Sequence, residues 1–354
     1  MTEQDDVAQR HKIDFDTKIY KIAEDLINGK TQFLFGSGMA KSCNLPTGIE
    51  LSAALLKKFD FPSGDFHLTE DDAKSLAKQF PFEVLFEIKR GEKGIQKISD
   101  FLKSNLLNVS YDEINKPENP YALFNEIRNE YGFPKTILTT NFDLLFEKRI
   151  GEEAKTIDKT NFHEAENLKD NGNVPVIHVH GIINELNNYM VTETDMFSND
   201  YNPTLREFEK WLHQADSFVF VGYSMNDPNI KSLYRKYMKD IKYRSETDDK
   251  KTFVVYPGSS SSSIAIKANT DRFHELLWKS RDADWIPLTA GAFFKELKDR
   301  LNQVKNRIIR NEVINAYGPS IDESEFDKKL ERVRAILQTD SETALGFMRE
   351  TIKM

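Results

Sequence analysis

Five short apolar runs constrain most strongly what this chain can fold into: Gln32-Phe33-Leu34-Phe35, Thr136-Ile137-Leu138-Thr139, Val174 to Val179, Phe218 to Val221 and Thr252 to Tyr256. Each is too brief for a stable helix and rich in β-branched or aromatic residues. Each runs into Gly, Asn or Pro, as strands buried on both faces of a parallel sheet do. Helical stretches such as Leu144 to Arg149 and Pro228 to Ile241 separate them. This order predicts an α/β fold built on a doubly wound parallel sheet.

The remaining segments hang on that sheet. From Asp16 to Gly29, Ile19, Ile22, Ala23, Leu26 and Ile27 share a helical face, and Asn28-Gly29 supplies a left-handed stop. Residues of about 57 to 130 carry Phe82, Leu85, Phe86 and Ile88 in one helical pattern and Ile95, Ile98, Phe101 and Leu102 in another, which predicts an inserted helical module. Gly258 with Ser259 to Ser263 reads as a flexible loop. Beyond Trp285 the chain turns helical, with Leu297, Leu301, Val304 and Ile308 on one face and Phe326, Leu330, Val333 and Leu337 on another. Neither stretch closes the sheet. The expected organisation is therefore a domain over residues 1–290 and a helical C-terminal tail, 291–354, for packing, assembly or partner docking.

Composition narrows the function classes. With 49 basic and 57 acidic residues the formal charge is −8, against strong intrinsic nucleic-acid binding by the whole body. The single Cys43 excludes a disulfide framework and any multi-thiolate zinc site within the chain. Cys43 itself reads as a small buried filler. Met1 to His11 lacks the apolar core of a signal peptide, and no run of about 18 apolar residues follows, so a cytoplasmic protein without a membrane span is expected.

Ligands of open parallel sheets collect at the carboxyl ends of the strands. Four such places carry polar or glycine residues. Gly36-Ser37-Gly38 follows the first run, where missing side chains let backbone N–H groups approach a phosphate, although the third Gly of a dinucleotide fingerprint is missing. Thr139-Thr140-Asn141-Phe142-Asp143 follows the second and can cap a helix or face a ligand. His178-Val179-His180-Gly181 follows the third, where alternation puts both histidines on one face. They could form half of a metal site, or His180 could act as a general base without a metal. Gly222-Tyr223-Ser224-Met225-Asn226-Asp227 follows the fourth and superficially resembles a nucleophile elbow. Asn226 stands where that elbow needs its second Gly, so turn chemistry or contact with a nucleotide fits Ser224 better. Gly29-Lys30-Thr31 mimics the end of a P-loop, but it precedes a strand and Glu24 occupies the first Gly position.

Taken in order, Gly-Ser-Gly with a following Leu-Pro, Thr-Thr-Asn-Phe-Asp, His-Gly and Gly-x-Ser-x-x-Asp, each after its own strand, resemble the sirtuin-like superfamily. More narrowly they resemble its bacterial branch of NAD-cleaving antiphage effectors, over roughly residues 30 to 290. The resemblance implies a Rossmann-like domain with NAD across the strand ends. It implies Gly36, Ser37 and Gly38 as the nucleotide-cradling loop, Asn141 and Asp143 near the nicotinamide ribose, and His180 as the catalytic histidine. It further places Thr140, Gly222 and Ser224 with the dinucleotide and Asp227 as a loop-former. Protein-deacylating relatives resemble one another in a four-cysteine zinc module, which one cysteine cannot build, so hydrolysis of NAD is the expected activity and no structural zinc or further cofactor is expected. A gated hydrolase, a homo-oligomer and a partner protein such as a HerA-type ATPase are further implications. The rival from another class is a non-catalytic subunit that senses NAD or ADP-ribose and regulates a partner ATPase or nuclease.

Overall fold

All five apolar runs form strands, and two short strands extend the sheet they build. A computed structural model describes residues 3–59, 68–80, 82–107, 111–183, 190–197, 203–225, 227–244, 250–260 and 262–317. The strands are β1 (Thr31–Phe35), β2 (Ile137–Thr139), β3 (Ala154–Ile157), β4 (Val174–His178), β5 (Ser217–Val221), β6 (Lys251–Val255) and β7 (Asp284–Ile286). They pair in parallel throughout, in the spatial order β3-β4-β2-β1-β5-β6-β7. The two that the sequence reading did not find are the two edges. β3 is short and half polar, and β7 has only three residues, so neither gives an apolar run.

The helices are α1 (Glu3–Ile27), α2 (Ser37–Ala40), α3 (Gly48–Lys58), α4 (Glu70–Gln79), α5 (Phe82–Lys93), α6 (Ile95–Leu106) and α7 (Pro120–Tyr131) before β2. After it come α8 (Leu145–Ile150), α9 (Ala165–Asp170), α10 (Glu193–Phe197), α11 (Pro203–Gln214), α12 (Pro228–Arg244), α13 (Ile264–Lys279) and α14 (Ala290–Tyr317). Local chemistry sets several of their ends. Thr47 with Glu50 and Thr69 with Asp72 form capping boxes that start α3 and α4. Asn119 caps α7, Pro120 occupies its first turn, and Gly132 at φ 62° ends it.

Period-two alternation divides the interior into two cores. Phe33, Phe35, Ile137, Val176, Val219, Val221, Phe253 and Ile286 face α1, α3, α7 and α14. Leu34, Leu138, Ile177, Phe218, Phe220, Val254 and Trp285 face α11, α12 and α13. Helices on both faces of a parallel sheet make the fold doubly wound α/β, as the sequence implies. No described helix is long and apolar enough to cross a membrane.

Helix α14, the first part of the expected C-terminal tail, packs inside the chain. Phe293, Phe294, Leu297, Leu301 and Val304 are fully buried, and Phe294 rings with Phe33, Phe35 and Phe124. Ion pairs of Lys298 with Glu126, Lys305 with Glu130 and Arg307 with Glu24 border this seam. Exposed pairs contribute about 0–1 kcal/mol each, whereas each buried large apolar side chain contributes roughly 1.5–3 kcal/mol. The apolar face of α14 is thus spent inside the chain, against α1 and α7. The second face, Phe326 to Leu337, lies outside the described residues.

Candidate functional site

Strand order brings the four motifs side by side. Because β4, β2, β1 and β5 are neighbours, the loops after them form one row along the carboxyl edge of the sheet. Gly36 to Gly38, Thr140 to Asp143, His180, Gly222 to Met225 and Asp227 all stand in that row.

The loops after β1 and β5 are in backbone contact. Gly36 N–H donates to the Val221 carbonyl at 3.0 Å and Gly38 N–H to the Gly222 carbonyl at 2.9 Å. A Cβ on Gly36 would lie 2.7 Å from the Gly222 oxygen, and one on Gly38 2.7 Å from the Gly222 Cα. Gly222 has φ +62°, and a Cβ there would meet Met39 N at 2.5 Å. Close approach of two turns therefore accounts for these three glycines. The N–H groups of Gly36 and Gly38 serve the neighbouring loop, so a phosphate cradle here would draw on other donors. Ser37 is half-buried, and Ser224 stands exposed at the tip of the β5 loop.

Thr139 and Thr140 anchor the second loop. Both hydroxyls donate to the Phe35 carbonyl, at 3.2 and 3.3 Å, and Asn141 N–H donates to Thr139 Oγ1 at 3.0 Å. This fixes Asn141, whose side chain is buried. Its amide Nδ2 and the Tyr121 hydroxyl lie close enough to influence each other, yet neither completes a well-formed hydrogen bond. A buried unsatisfied amide costs about 1–3 kcal/mol, which marks a donor that a ligand could satisfy. Asp143 Oδ1 accepts the Leu145 N–H at 3.1 Å and starts α8. Burial pushes the Asp143 carboxyl up to about 6, although the Leu145 N–H and His178 pull it down.

The two histidines diverge. His178 is the last residue of β4 and points to the Asn141 carbonyl through Nδ1 at 2.7 Å and to Glu147 Oε1 through Nε2 at 2.9 Å. Both partners are acceptors, so the ring satisfies them together only as an imidazolium. Burial opposes that charge, but Glu147, the Asn141 carbonyl and Asp143 outweigh it and raise the His178 pKa. Thr156 on β3 holds the same Glu147 oxygen at 2.9 Å. His178 thus holds the backbone carbonyl of Asn141.

His180 lies past the strand, where Gly181 at φ +82° turns the chain, and its Nε2 meets Asp227 Oδ2 at 2.5 Å. The expected sharing of one face does not extend to a shared partner. Among the described residues, no group of three or more His, Cys, Asp or Glu side chains could hold a metal ion.

Asp227 does more than form a loop. Its Oδ1 accepts N–H groups of Asn229 at 2.7 Å and Ile230 at 3.2 Å, capping α12 while Oδ2 takes His180. Burial would raise this carboxyl, but His180 and the two N–H donors reverse the effect and lower it. Asp227 is therefore an anion paired to His180.

Sequence reasoning missed Glu83 and Tyr121, which long-range packing alone brings here, and Glu147, which stands one helical turn beyond Asp143 on α8. Glu83, on α5 of the helical module, is raised by burial and by the nearby Asp227 charge, with His180 acting oppositely. The same helix is tied to α10 by two bonds from Arg90 to Asp195, at 2.7 and 2.8 Å, and by Thr194 N–H to Glu87 at 3.0 Å. The module thus reaches the segment that follows His180. An acidic residue at the start of a helix gives no sign of such a neighbour.

No curated protein matches the sequence significantly. A solved chain from work on the mechanism and regulation of Sir2 enzymes aligns with a TM-score of 0.42 and 16% identity, covering 81% of this chain and 98% of that one. Residues 135–286, which hold Asn141, Asp143, His180, Gly222, Ser224 and Asp227, match the model of the SIR2-like domain family.

Proposed function

We propose that this chain is an NAD glycohydrolase that cleaves the bond between nicotinamide and ribose, giving nicotinamide and ADP-ribose. The observation that carries the reading is the buried His180–Asp227 pair beside the Asn141 loop, within the stretch that matches the SIR2-like model. The nicotinamide ring is cationic and leaves as a neutral molecule, so the bond needs little acid catalysis. The site must hold the ribose as its carbon becomes electron-poor and orient a water.

Water forms the new C–O bond as the C–N bond breaks, and one proton is released. His180 is suited to take that proton, from the water or through a ribose hydroxyl. With Nε2–H donated to Asp227, Nδ1 is the basic atom, and the paired carboxylate stabilises the imidazolium that results. The Asn141 amide donates to the ribose or positions the water, with His178 and Thr139 fixing its backbone. Asp143 lies deeper, with one oxygen committed to the Leu145 N–H, and contacts the carboxamide through its other oxygen. Gly222, Ser224 and Thr140 line the dinucleotide path, with the Gly36-Ser37-Gly38 turn beneath it.

The hydrolase would serve as a gated antiphage effector that depletes NAD in the cytoplasm, with no zinc or further cofactor. The gate would be the module of about residues 57–130, through Glu83 and the Arg90–Asp195 tie. Assembly, or docking of a HerA-type ATPase, would fall to residues beyond α14. Nicotinamide release by the purified chain, alone and with lysate of phage-infected cells, tests the reading. NAD or ADP-ribose binding without release under either condition would instead establish a sensing subunit.

A further inference from the structure

A second concave site lies on the face of the sheet that α12 and α13 cover. It is a groove of about 480 Å³ between α12 and the end of α13, within the size range of small-molecule sites. Lys231, Arg235 and Lys239 project from one face of α12, and Arg281 faces them from the turn after α13. Met225, Met238 and Leu277 add apolar wall. One carboxylate, Asp282, lines the same space.

Four cations and one carboxylate leave the groove with an excess of positive charge. No ion pair joins Lys231, Arg235, Lys239 or Arg281 to an acid among the described residues. The neighbours of Lys231 are repulsive: burial lowers its pKa first, and the charges of Arg281 and Arg235 lower it further. Arg281 is likewise lowered by burial and then by Arg235. Arg281 also stacks over the Trp278 ring, 4.9 Å from its centroid, which holds the guanidinium in place. One held guanidinium and three neighbouring cations beside a thioether and leucine wall have the chemistry of a site for a multiply charged anion with a flat apolar part.

We propose that this groove binds a nucleotide carrying at least two phosphate groups, independently of the cleft that holds His180. The cations take the phosphates, and Met238 and Leu277, backed by Met225, take the base. The site adjoins the other through two links. Buried Met225 sits at φ 53° in the loop between Gly222 and Asp227. Lys231 N–H donates to the Asp227 carbonyl at 3.0 Å in the first turn of α12. The loop and helix end that carry the partner of His180 therefore back one end of the groove.

Calorimetric titration of the full chain with pyrophosphate and with ADP tests this. Arg235 and Lys239 are exposed, so the double variant Arg235→Glu, Lys239→Glu keeps the fold. Both probes are expected to bind the parent and the His180→Ala variant equally, and the double variant about 10-fold or more weakly, the equivalent of ~1.4 kcal/mol. ADP should bind more tightly than pyrophosphate, and Met238→Asp should remove that difference. Hydrogen exchange should slow in α12 and at residues 277–282 when pyrophosphate is bound. Equal binding by the double variant, or absence of pyrophosphate binding by the parent, would overturn the site. ADP no tighter than pyrophosphate would overturn its assignment to a nucleotide.

Discussion

His180 and Asp227 come from loops 47 residues apart in sequence and meet at 2.5 Å, Nε2 to Oδ2, while the other Asp227 oxygen caps α12. One side chain thus ties the start of a helix to the orientation of the histidine. Asp227→Asn keeps the cap, since Asn and Asp cap equally well, whereas Asp227→Ala loses it at about 1 kcal/mol. Thermal denaturation should therefore separate the two variants, with Asn the more stable. Equal loss in both would show that the cap contributes nothing.

Gly222 is the strictest glycine of the edge. Gly222→Ala forces a Cβ at positive φ against Met39 N, 2.5 Å away. Backbone strain together with overpacking should cost about 2–4 kcal/mol. Denaturant unfolding should show that loss, and a loss below about 0.5 kcal/mol, the level of ordinary surface changes, would mean that the two loops separate easily.

The buried ionisable groups behind Asn141 give stability a definite pH dependence. The Asp143 carboxyl is raised to about 6, so folding favours its protonated form and the penalty for its charge grows as pH rises above the unfolded value near 4. Asp143→Asn, which can still accept the Leu145 N–H, should therefore gain stability relative to the parent at pH 7.5 and lose the advantage below about pH 4. His178 is also raised, so its contribution is complete below the unfolded value near 6.5 and is lost as pH rises through the folded one. His178→Gln should cost most in acid and least in alkali. Stability curves of both variants that run parallel to the parent between pH 4 and 9 would contradict these assignments.

The burial of α14 decides how the tail can be tested. Removing everything after Thr289 strips Phe293, Phe294, Leu297 and Leu301 from the core. Large-to-small changes at such sites cost about 2–5 kcal/mol each, so that deletion should abolish folding. Ending the chain after Tyr317 keeps all of these side chains. On the assembly proposal it should lower the mass seen by light scattering, and an unchanged mass would remove that role from residues 318–354.

Much of the fold was legible because apolar runs report burial on both faces. Phe33-Leu34-Phe35 and Phe218 to Val221 could only be central strands, and the turns after them were correctly placed at one edge. Edge strands do not announce themselves in this way: Ala154-Lys155-Thr156-Ile157 alternates with exposed residues, and Asp284-Trp285-Ile286 is too short for any periodicity. Amphipathicity showed that α14 has an apolar face but not whether that face meets the same chain or another. At the site, the order of the motifs put the Asn141 and His180 loops at one sheet edge, and the loop position of Asp227 was visible while its partner was not. His180 pairs with a residue from another loop, and Glu83 and Tyr121 arrive from separate helices. Such relationships exist only after the chain is packed.

The most direct measurement is nicotinamide release from NAD by the parent, His180→Ala and Asp227→Asn, under the condition in which the parent is active. His180→Ala should abolish turnover. Asp227→Asn, folded and still capped, should lower kcat by about 10²–10⁴-fold, as loss of the carboxylate behind a catalytic histidine does. Release at the parent rate by either variant would contradict the assignment of the His180–Asp227 pair.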